Sequence, residues 1–249
     1  MIKVVLIGSG NVATHLYKAF STVLGVEIIQ VFARTQSSII PLGVQISNWQ
    51  ELKEADLYII SVSDDAIAEV ASKIPFKNKL IVHTSGTTSI DVLPFERRGV
   101  FYPLQTFSKE KQIDFSVVPI CIETNQKEDE KTVREVASFL SPNVYAIASE
   151  QRKALHVAAV FVCNFTNHLY HVGASICEAN LIPFEILKPL ITETAQKIQN
   201  LHPKDAQTGP AYRGDEKTIQ MHLDFLMHSE NQKLYQLMTQ SIQNHVKKL

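Results

Sequence analysis

Residues Val4-Val5-Leu6-Ile7-Gly8-Ser9-Gly10-Asn11-Val12-Ala13 constrain the fold more than any other stretch of the chain. A continuous Val/Leu/Ile run with no polar alternation suits a parallel strand covered on both faces. It runs straight into a G-x-G-x-x-A turn. Gly8 permits the tight bend, Gly10 lets the backbone approach a pyrophosphate, and Ala13 keeps the following helix close to the strand. Val12, Leu16, Ala19 and Phe20 then recur with helical spacing, so the turn lies between a strand and a helix whose free N–H groups suit phosphate. The pattern predicts a dinucleotide site built by Gly8, Ser9, Gly10, Asn11, Val12 and Ala13.

The end of the next strand, expected over Val26–Phe32, bears on which dinucleotide is held. An NAD site places Asp or Glu there for the ribose 2′-hydroxyl, whereas an NADP site places arginine and small hydroxyl residues. No carboxylate occurs over 28–40, and Glu27 stands at the wrong end of the strand. Arg34, Thr35 and Ser37 stand at the right end, and a guanidinium forks onto phosphate oxygens. NADP is therefore the expected cofactor; the alternative is a surface arginine that merely comes after a strand.

Further strands are expected over 56–62, 79–83, 100–102, 117–122 and 144–148, with helices between several of them, as in a doubly wound sheet. Ligands bind beyond the carboxyl ends of such strands. Besides the Gly8 turn, that edge carries Ser61, Val62 and Ser63, and then Ser85 and Gly86. These are expected to face the cofactor, or, for the serines, simply to cap the next helical turn. The expected architecture is α/β: a doubly wound Rossmann domain with a parallel sheet over 1–149, then an all-α domain over 150–249, where no strand pattern recurs and prolines 183, 189, 203 and 210 break helices.

Composition bounds the function. With 249 residues the chain is long enough for two domains. A net charge of −1, from 24 Lys+Arg and 25 Asp+Glu, leaves no polybasic surface, so a small-molecule substrate is expected rather than nucleic acid or membrane. The most apolar later stretch, 155–165, is too short and too polar to span a bilayer. A first strand beginning at Ile2 leaves no room for a signal peptide, and Cys121, Cys163 and Cys177 form no C-x-x-C pair, so reduced thiols in a cytoplasm are expected. His168 and His171 share a helix face but have no third ligand nearby in sequence, and no H-E-x-x-H occurs, so no metal is expected.

Two patterns in the second half carry candidate chemistry. On a helix from about residue 150, Lys153, His156, Val160, Asn164, Asn167 and His171 fall within an arc of about 80° at roughly 100° per residue. The rest of the circumference is apolar, the signature of a buried helix. The polar stripe either bonds to neighbouring helices or lines a cleft that faces the cofactor, with His156, Asn164 and Asn167 the candidate substrate contacts and His156 the residue type best suited to give a proton near neutral pH. The loop Thr208-Gly209-Pro210-Ala211-Tyr212-Arg213-Gly214-Asp215 precedes a further helix. Arg213 suits a carboxylate or phosphate, unless the loop is a connecting turn in which Asp215 caps that helix. Apolar residues Ile186, Leu190, Ile198, Leu223, Leu226, Leu234 and Leu237 exceed what a domain of roughly 100 residues covers alone, and a closed homodimer is expected.

The N-terminal motifs (GSGNVA at 8–13, Ala33-Arg34-Thr35, ADLYIISVSDDAI at 55–67 and HTSG at 83–86) resemble the NADP-binding domain of pyrroline-5-carboxylate reductase and its relatives, which include prephenate dehydrogenases, ketopantoate reductase, β-hydroxyacid dehydrogenases and deazaflavin-dependent NADP oxidoreductases. The whole chain is similar to a group of bacterial Rossmann-like proteins with a helical C-terminal domain of unknown function, in which KALHVAAVFVCNF (153–165) and TGPAYRGD (208–215) recur. The resemblance implies an oxidoreductase moving hydride between NADPH and a small carbonyl or imine compound, and an interlocked dimer. An NADP-binding sensor or scaffold without turnover, and a non-redox enzyme holding the dinucleotide structurally, are the alternatives. The chain departs from β-hydroxyacid dehydrogenases in having Lys153 eleven residues before Asn164, with Val160 one turn before it, and from prephenate dehydrogenases in having Tyr102-Pro103 where they carry His-Pro.

Overall fold

The computed structural model describes residues 1–33, 45–109 and 111–246. It opens with β1 (Ile2–Ile7), α1 (Asn11–Phe20), β2 (Val26–Phe32) and β3 (Gln45–Ile46). β4 (Leu57–Ile60) comes next, then a 3₁₀ turn leading into α2 (Ile67–Ser72), then β5 (Leu80–His83) and β6 (Arg98–Pro103). β7 (Ile120–Thr124), α3 (Lys127–Ser138) and β8 (Val144–Ala146) complete one eight-stranded sheet of order β3-β2-β1-β4-β5-β6-β7-β8.

The chain moves outward from β1 in one direction through β2 and β3 and in the other from β4 to β8, so the order reverses between β1 and β4. β1 is buried along both faces. Val4 and Leu6 join a layer with Ala13, Leu16 and Phe20 of α1 and Val133, Val136 and Ala137 of α3. Val5 and Ile7 join the opposite layer with Ile67 and Ala71 of α2. The continuous apolar run reflects having helices on both sides.

The sheet is not wholly parallel. β7 lies antiparallel to β6, with Phe101 opposite Ile122, and β8 is parallel to β7, so the last two strands run against the other six. A parallel return needs a crossover of a dozen or more residues, usually a helix. Among the described residues of 104–119 the one helical element is a short 3₁₀ turn, Phe115–Val117, and the chain comes back antiparallel. The amphipathic α3 supplies the next crossover.

After β8 the chain enters α4 (Ser149–Ala159), a π-helical stretch (Val160–Phe165) and α5 (Thr166–Ala179). A 3₁₀ turn leads to α6 (Lys188–Asn200), α7 (Pro210–Arg213), α8 (Glu216–Phe225) and α9 (Asn231–Val246). Two compact units divide at Met1–Val160 and Phe161–Leu249, whereas the sequence texture changes at Ser149. The reason is a polar anchor that holds α4 in the first unit. Glu123, at the end of β7, accepts from the Ser149 backbone N–H at 3.0 Å and from its hydroxyl at 2.7 Å, and pairs with the fully buried Arg152. Arg152 also donates to the Thr88 carbonyl at 2.5 Å.

The second unit is helical throughout, with α7 and α8 packed against α9. Its helices are not covered as their sequence leads one to expect. Phe161, Val162 and Phe165 are 62, 74 and 51 % exposed, although the sequence marks this helix as apolar almost all round. Among the described residues, the buried hydrophobic side chains of this unit are Cys177, Ile219 and Leu226.

Arg152→Ala would leave Glu123 without its buried counter-ion and release the first turn of α4. Removing one partner of a buried pair costs about 3–5 kcal/mol. Urea unfolding of the full chain is expected to show a loss of that size, and a loss within the range of a surface substitution would contradict the anchor.

Candidate active site

At the carboxyl edge of the sheet, in the first unit, lies a cleft of about 730 Å³. One wall is the nucleotide turn: Gly8, Ser9, Gly10, Asn11 and Val12. Ser61, Val62, Ser63 and Asp64 line it after β4, and Thr84, Ser85 and Gly86 after β5. Gln105, Phe107 and His156 add a further wall. Ala13 is fully buried and takes no part in the lining; it packs α1 against the sheet, the role its size suits. Arg34, Thr35 and Ser37, on which the choice of dinucleotide rests, lie outside the described residues.

The two glycines of the turn have different reasons. Gly8 has φ +134°, and a Cβ there would stand 1.9 Å from the Ser61 carbonyl oxygen. The ends of β1 and β4 approach so closely that only glycine fits. A Cβ on Gly10 would meet no heavy atom within 4 Å. That open hollow lies beside the first turn of α1, whose leading N–H groups lack intrahelical acceptors, and its free space fits a pyrophosphate.

Two serines of the edge are committed to the protein, whereas Ser63 precedes the 3₁₀ turn without a side-chain capping bond. Ser61 is buried and accepts from the Thr84 hydroxyl at 3.2 Å. Ser85, also buried, accepts from the N–H groups of Thr87 and Thr88 at 3.1 and 3.0 Å. Thr87 in turn donates to Asp64 at 2.5 Å, joining the loops after β4 and β5. Ser61 and Ser85 therefore shape the cleft through their backbone and bulk, while their hydroxyls hold the loops together.

The segment after β6 is held onto the nucleotide turn by α1. The Asn11 side-chain amide donates to the Phe107 carbonyl at 2.9 Å, and His15 Nε2 lies 2.9 Å from the Ser108 carbonyl. Sequence reasoning missed Gln105 and Phe107 because these contacts join residues more than ninety positions apart; the amide of Asn11 and the imidazole of His15 early in α1 were the available signal. Pro103 is buried within β6 and is not part of the lining.

Of the polar stripe, His156 alone lines this cleft. Its Nδ1 stands 3.1 Å from the Tyr102 hydroxyl. Asn164 and Asn167 belong to the second unit and are exposed. The wheel that grouped them with His156 assumes uninterrupted α geometry. The π-helical stretch Val160–Phe165 interrupts that geometry, since an i→i+5 turn takes one residue more than an α turn. Thr166 Oγ1 donates to the Phe161 carbonyl five residues back, at 3.2 Å. Arg213, exposed at the end of α7, also belongs to the second unit. Asp215 caps α8 by accepting from the Thr218 N–H at 3.1 Å, as the connecting-turn reading of that loop expects. His168 and His171 lie in the second unit with ring centroids 6.2 Å apart. No helix among the described residues is long and apolar enough to cross a membrane.

Residues 118–242 match the family profile described as a domain of unknown function, DUF2520. No curated protein matches the sequence. Among solved structures, the chain is similar to a "putative NADP oxidoreductase" from Bacteroides fragilis, with 42 % identity, 98 % of each chain covered and a TM-score of 0.87. It is also similar to a protein from Thermotoga maritima, at 19 % identity, 98 % of each chain and a TM-score of 0.77. A pyrroline carboxylate reductase from Plasmodium falciparum, solved with NADP bound, shares 14 % identity over 97 % of this chain and 98 % of its own, with a TM-score of 0.58. The last two likenesses are of fold.

His83, at the end of β5, sets the pH response of the edge. Its Nδ1 accepts from the Ser85 N–H at 3.2 Å, and burial, reinforced by the Arg152 charge and opposed by Asp64 and Glu123, brings its pKa down to about 4. The folded ring stays neutral where an unfolded histidine takes up a proton, so unfolding binds a proton between pH 6.5 and about 4. Stability is therefore full above that window and falls as pH drops through it, by an amount on the order of 3 kcal/mol. Denaturation midpoints measured across the window are expected to show that fall, and His83→Asn, whose carbonyl can still accept from Ser85, is expected to flatten it. An unchanged slope in the variant would remove His83 as the cause.

Proposed function

We propose, for a chain that belongs to the family of the domain of unknown function DUF2520, that the first unit binds NADP and that the protein is an oxidoreductase moving hydride between NADPH and a small carbonyl or imine compound. The observation that carries the reading is a single cleft lined both by the 8–12 turn, with its open hollow at Gly10, and by His156. When bound, NADPH would supply the hydride and NADP+ would accept it in the reverse direction. The protein's part is to hold the pyrophosphate on the α1 N-terminus, to keep the loops after β4 and β5 rigid around it, and to polarise the substrate oxygen or nitrogen through His156. Arg34 and Thr35 are assigned the 2′-phosphate on their residue types. Asn164, Asn167 and Arg213 remain candidate substrate ligands by residue type: two amides and a guanidinium, all exposed.

The assembly we propose is a homodimer working in the cytoplasm. Leu190, Phe225 and Leu237, at 62, 64 and 65 % exposure, join Phe161, Val162 and Phe165 as large apolar side chains left in water by one chain. Soluble monomers rarely leave large apolar patches uncovered, and a two-fold copy is the commonest cover.

A titration with NADPH and NADH, run beside an NADPH-oxidation screen of keto acids and cyclic imines, tests the function. Gly10→Ala should fold and lose NADPH affinity by about tenfold or more, ~1.4 kcal/mol. Arg34→Ala should weaken NADPH by about 1.5–3 kcal/mol while sparing NADH. Failure of the wild type to bind NADPH, or equal losses for both cofactors in Arg34→Ala, would overturn the respective assignment. Sedimentation at micromolar concentration is expected to give twice the chain mass; a monomer would refute the dimer.

A further inference from the structure

Tyr102 stands behind His156. It lies in β6, its hydroxyl is 3.1 Å from His156 Nδ1, and it is not part of the cleft lining that His156 joins. The two rings are packed over Gly86. A Cβ at that position would come within 2.7 Å of His156 Nδ1, 2.7 Å of Tyr102 Cζ and 2.9 Å of Tyr102 Oη. The glycine backbone therefore closes one side of the hydrogen bond, and any larger residue would force the rings apart.

We propose that Tyr102 is a positioning residue that holds His156 in the tautomer with its proton on Nε2, so that an Nε2–H is presented to the oxygen or nitrogen of the substrate. Among the described residues the Tyr102 hydroxyl has no hydrogen-bond partner other than Nδ1, and Nε2 has none at all. A phenol has one proton to donate, and a neutral imidazole has one nitrogen that accepts and one that donates. If Nδ1 carried the proton, the half-buried phenol O–H would be left without an acceptor and Nε2 could only accept. With Tyr102 donating, both rings are satisfied and Nε2–H is the free group. Burial pushes the Tyr102 hydroxyl up to about 12, and the Cys121 thiol near it is pushed up to about 11, so the phenol keeps the proton this arrangement needs.

The substrate contact rests on the reading of His156 given under Proposed function; the tautomer does not. A neutral imidazole whose N–H is fixed toward a carbonyl oxygen or imine nitrogen stabilises the negative charge that grows there as hydride arrives at carbon, with no reorganisation at that moment. The Tyr102 hydroxyl makes the opposite tautomer unfavourable before any ligand binds.

The test is the long-range ¹H–¹⁵N spectrum of the full chain labelled at histidine, taken at mildly alkaline pH where an imidazole is neutral, with His156 assigned by its absence in His156→Gln. The expected wild-type pattern is Nε2–H with unprotonated Nδ1. In Tyr102→Phe, which keeps the ring and loses only the hydroxyl, that pattern is expected to give way to a mixture of tautomers. Once a substrate is in hand, kcat for the same variant is expected to fall several-fold with NADPH affinity unchanged. An Nδ1–H tautomer in the wild type overturns the proposal without any variant, and so does a Tyr102→Phe spectrum identical to wild type. The expected pair of spectra in a protein that turns over no carbonyl or imine would uphold Tyr102's role and overturn the functional reading instead.

Discussion

The buried pairing of Glu123 with Arg152 holds together three parts of the first unit that the chain supplies far apart: the end of the reversed strand β7, the turn after β5 and the first turn of α4. Taking two charges out of water is expensive, and such a pair persists only where further hydrogen bonds satisfy both partners. Ser149 and the Thr88 carbonyl supply several of them here, while Arg152 Nε has no partner among the described residues. His156 stands four residues after Arg152, on the same face of α4. The charge that fixes the helix to the sheet thus also sets where the histidine reaches the cleft.

Around that anchor the edge of the sheet satisfies itself. Ser61 with Thr84, Ser85 with Thr87 and Thr88, Thr87 with Asp64, and His83 with Ser85 form a connected set of polar groups. A ligand entering the cleft consequently meets mainly backbone and small side chains already locked in place. Preorganisation of this kind suits a large anionic cofactor held through backbone N–H groups, because little has to be ordered on binding.

The second unit shows the reverse condition. Its apolar side chains outnumber what its own fold encloses, and its first helix passes through a π-helical stretch at the residue where the two compact units divide. Burial rather than local propensity decides whether such helices persist, so the stability of this unit is tied to whatever covers it.

The sequence by itself determined the elements and the phosphate turn. A both-faces-buried strand running into glycines at 8 and 10 has few other solutions, and periodicity placed β2, β4, β5 and the start of α4 within a few residues. These features are local, set by backbone freedom and by spacing of apolar residues along one segment. Tertiary structure alone decided the rest. The reversal of β7 goes with a connection over 104–119 whose described residues form no helix long enough to carry the chain back across the sheet. Nothing in the sequence singles out Glu123 or Arg152, and only their meeting across 29 positions makes them an internal anchor. Tyr102 looked like a departure from a His-Pro motif until β6 brought its hydroxyl to His156, and Gly86, which lines the cleft, also leaves the room those two rings occupy. The helical wheel that grouped Asn164 and Asn167 with His156 assumed unbroken α geometry, and no residue pattern announces the π-helical stretch Val160–Phe165 that interrupts it. Contacts between distant segments depend on three-dimensional packing, and a one-dimensional pattern reports only the segments it runs through.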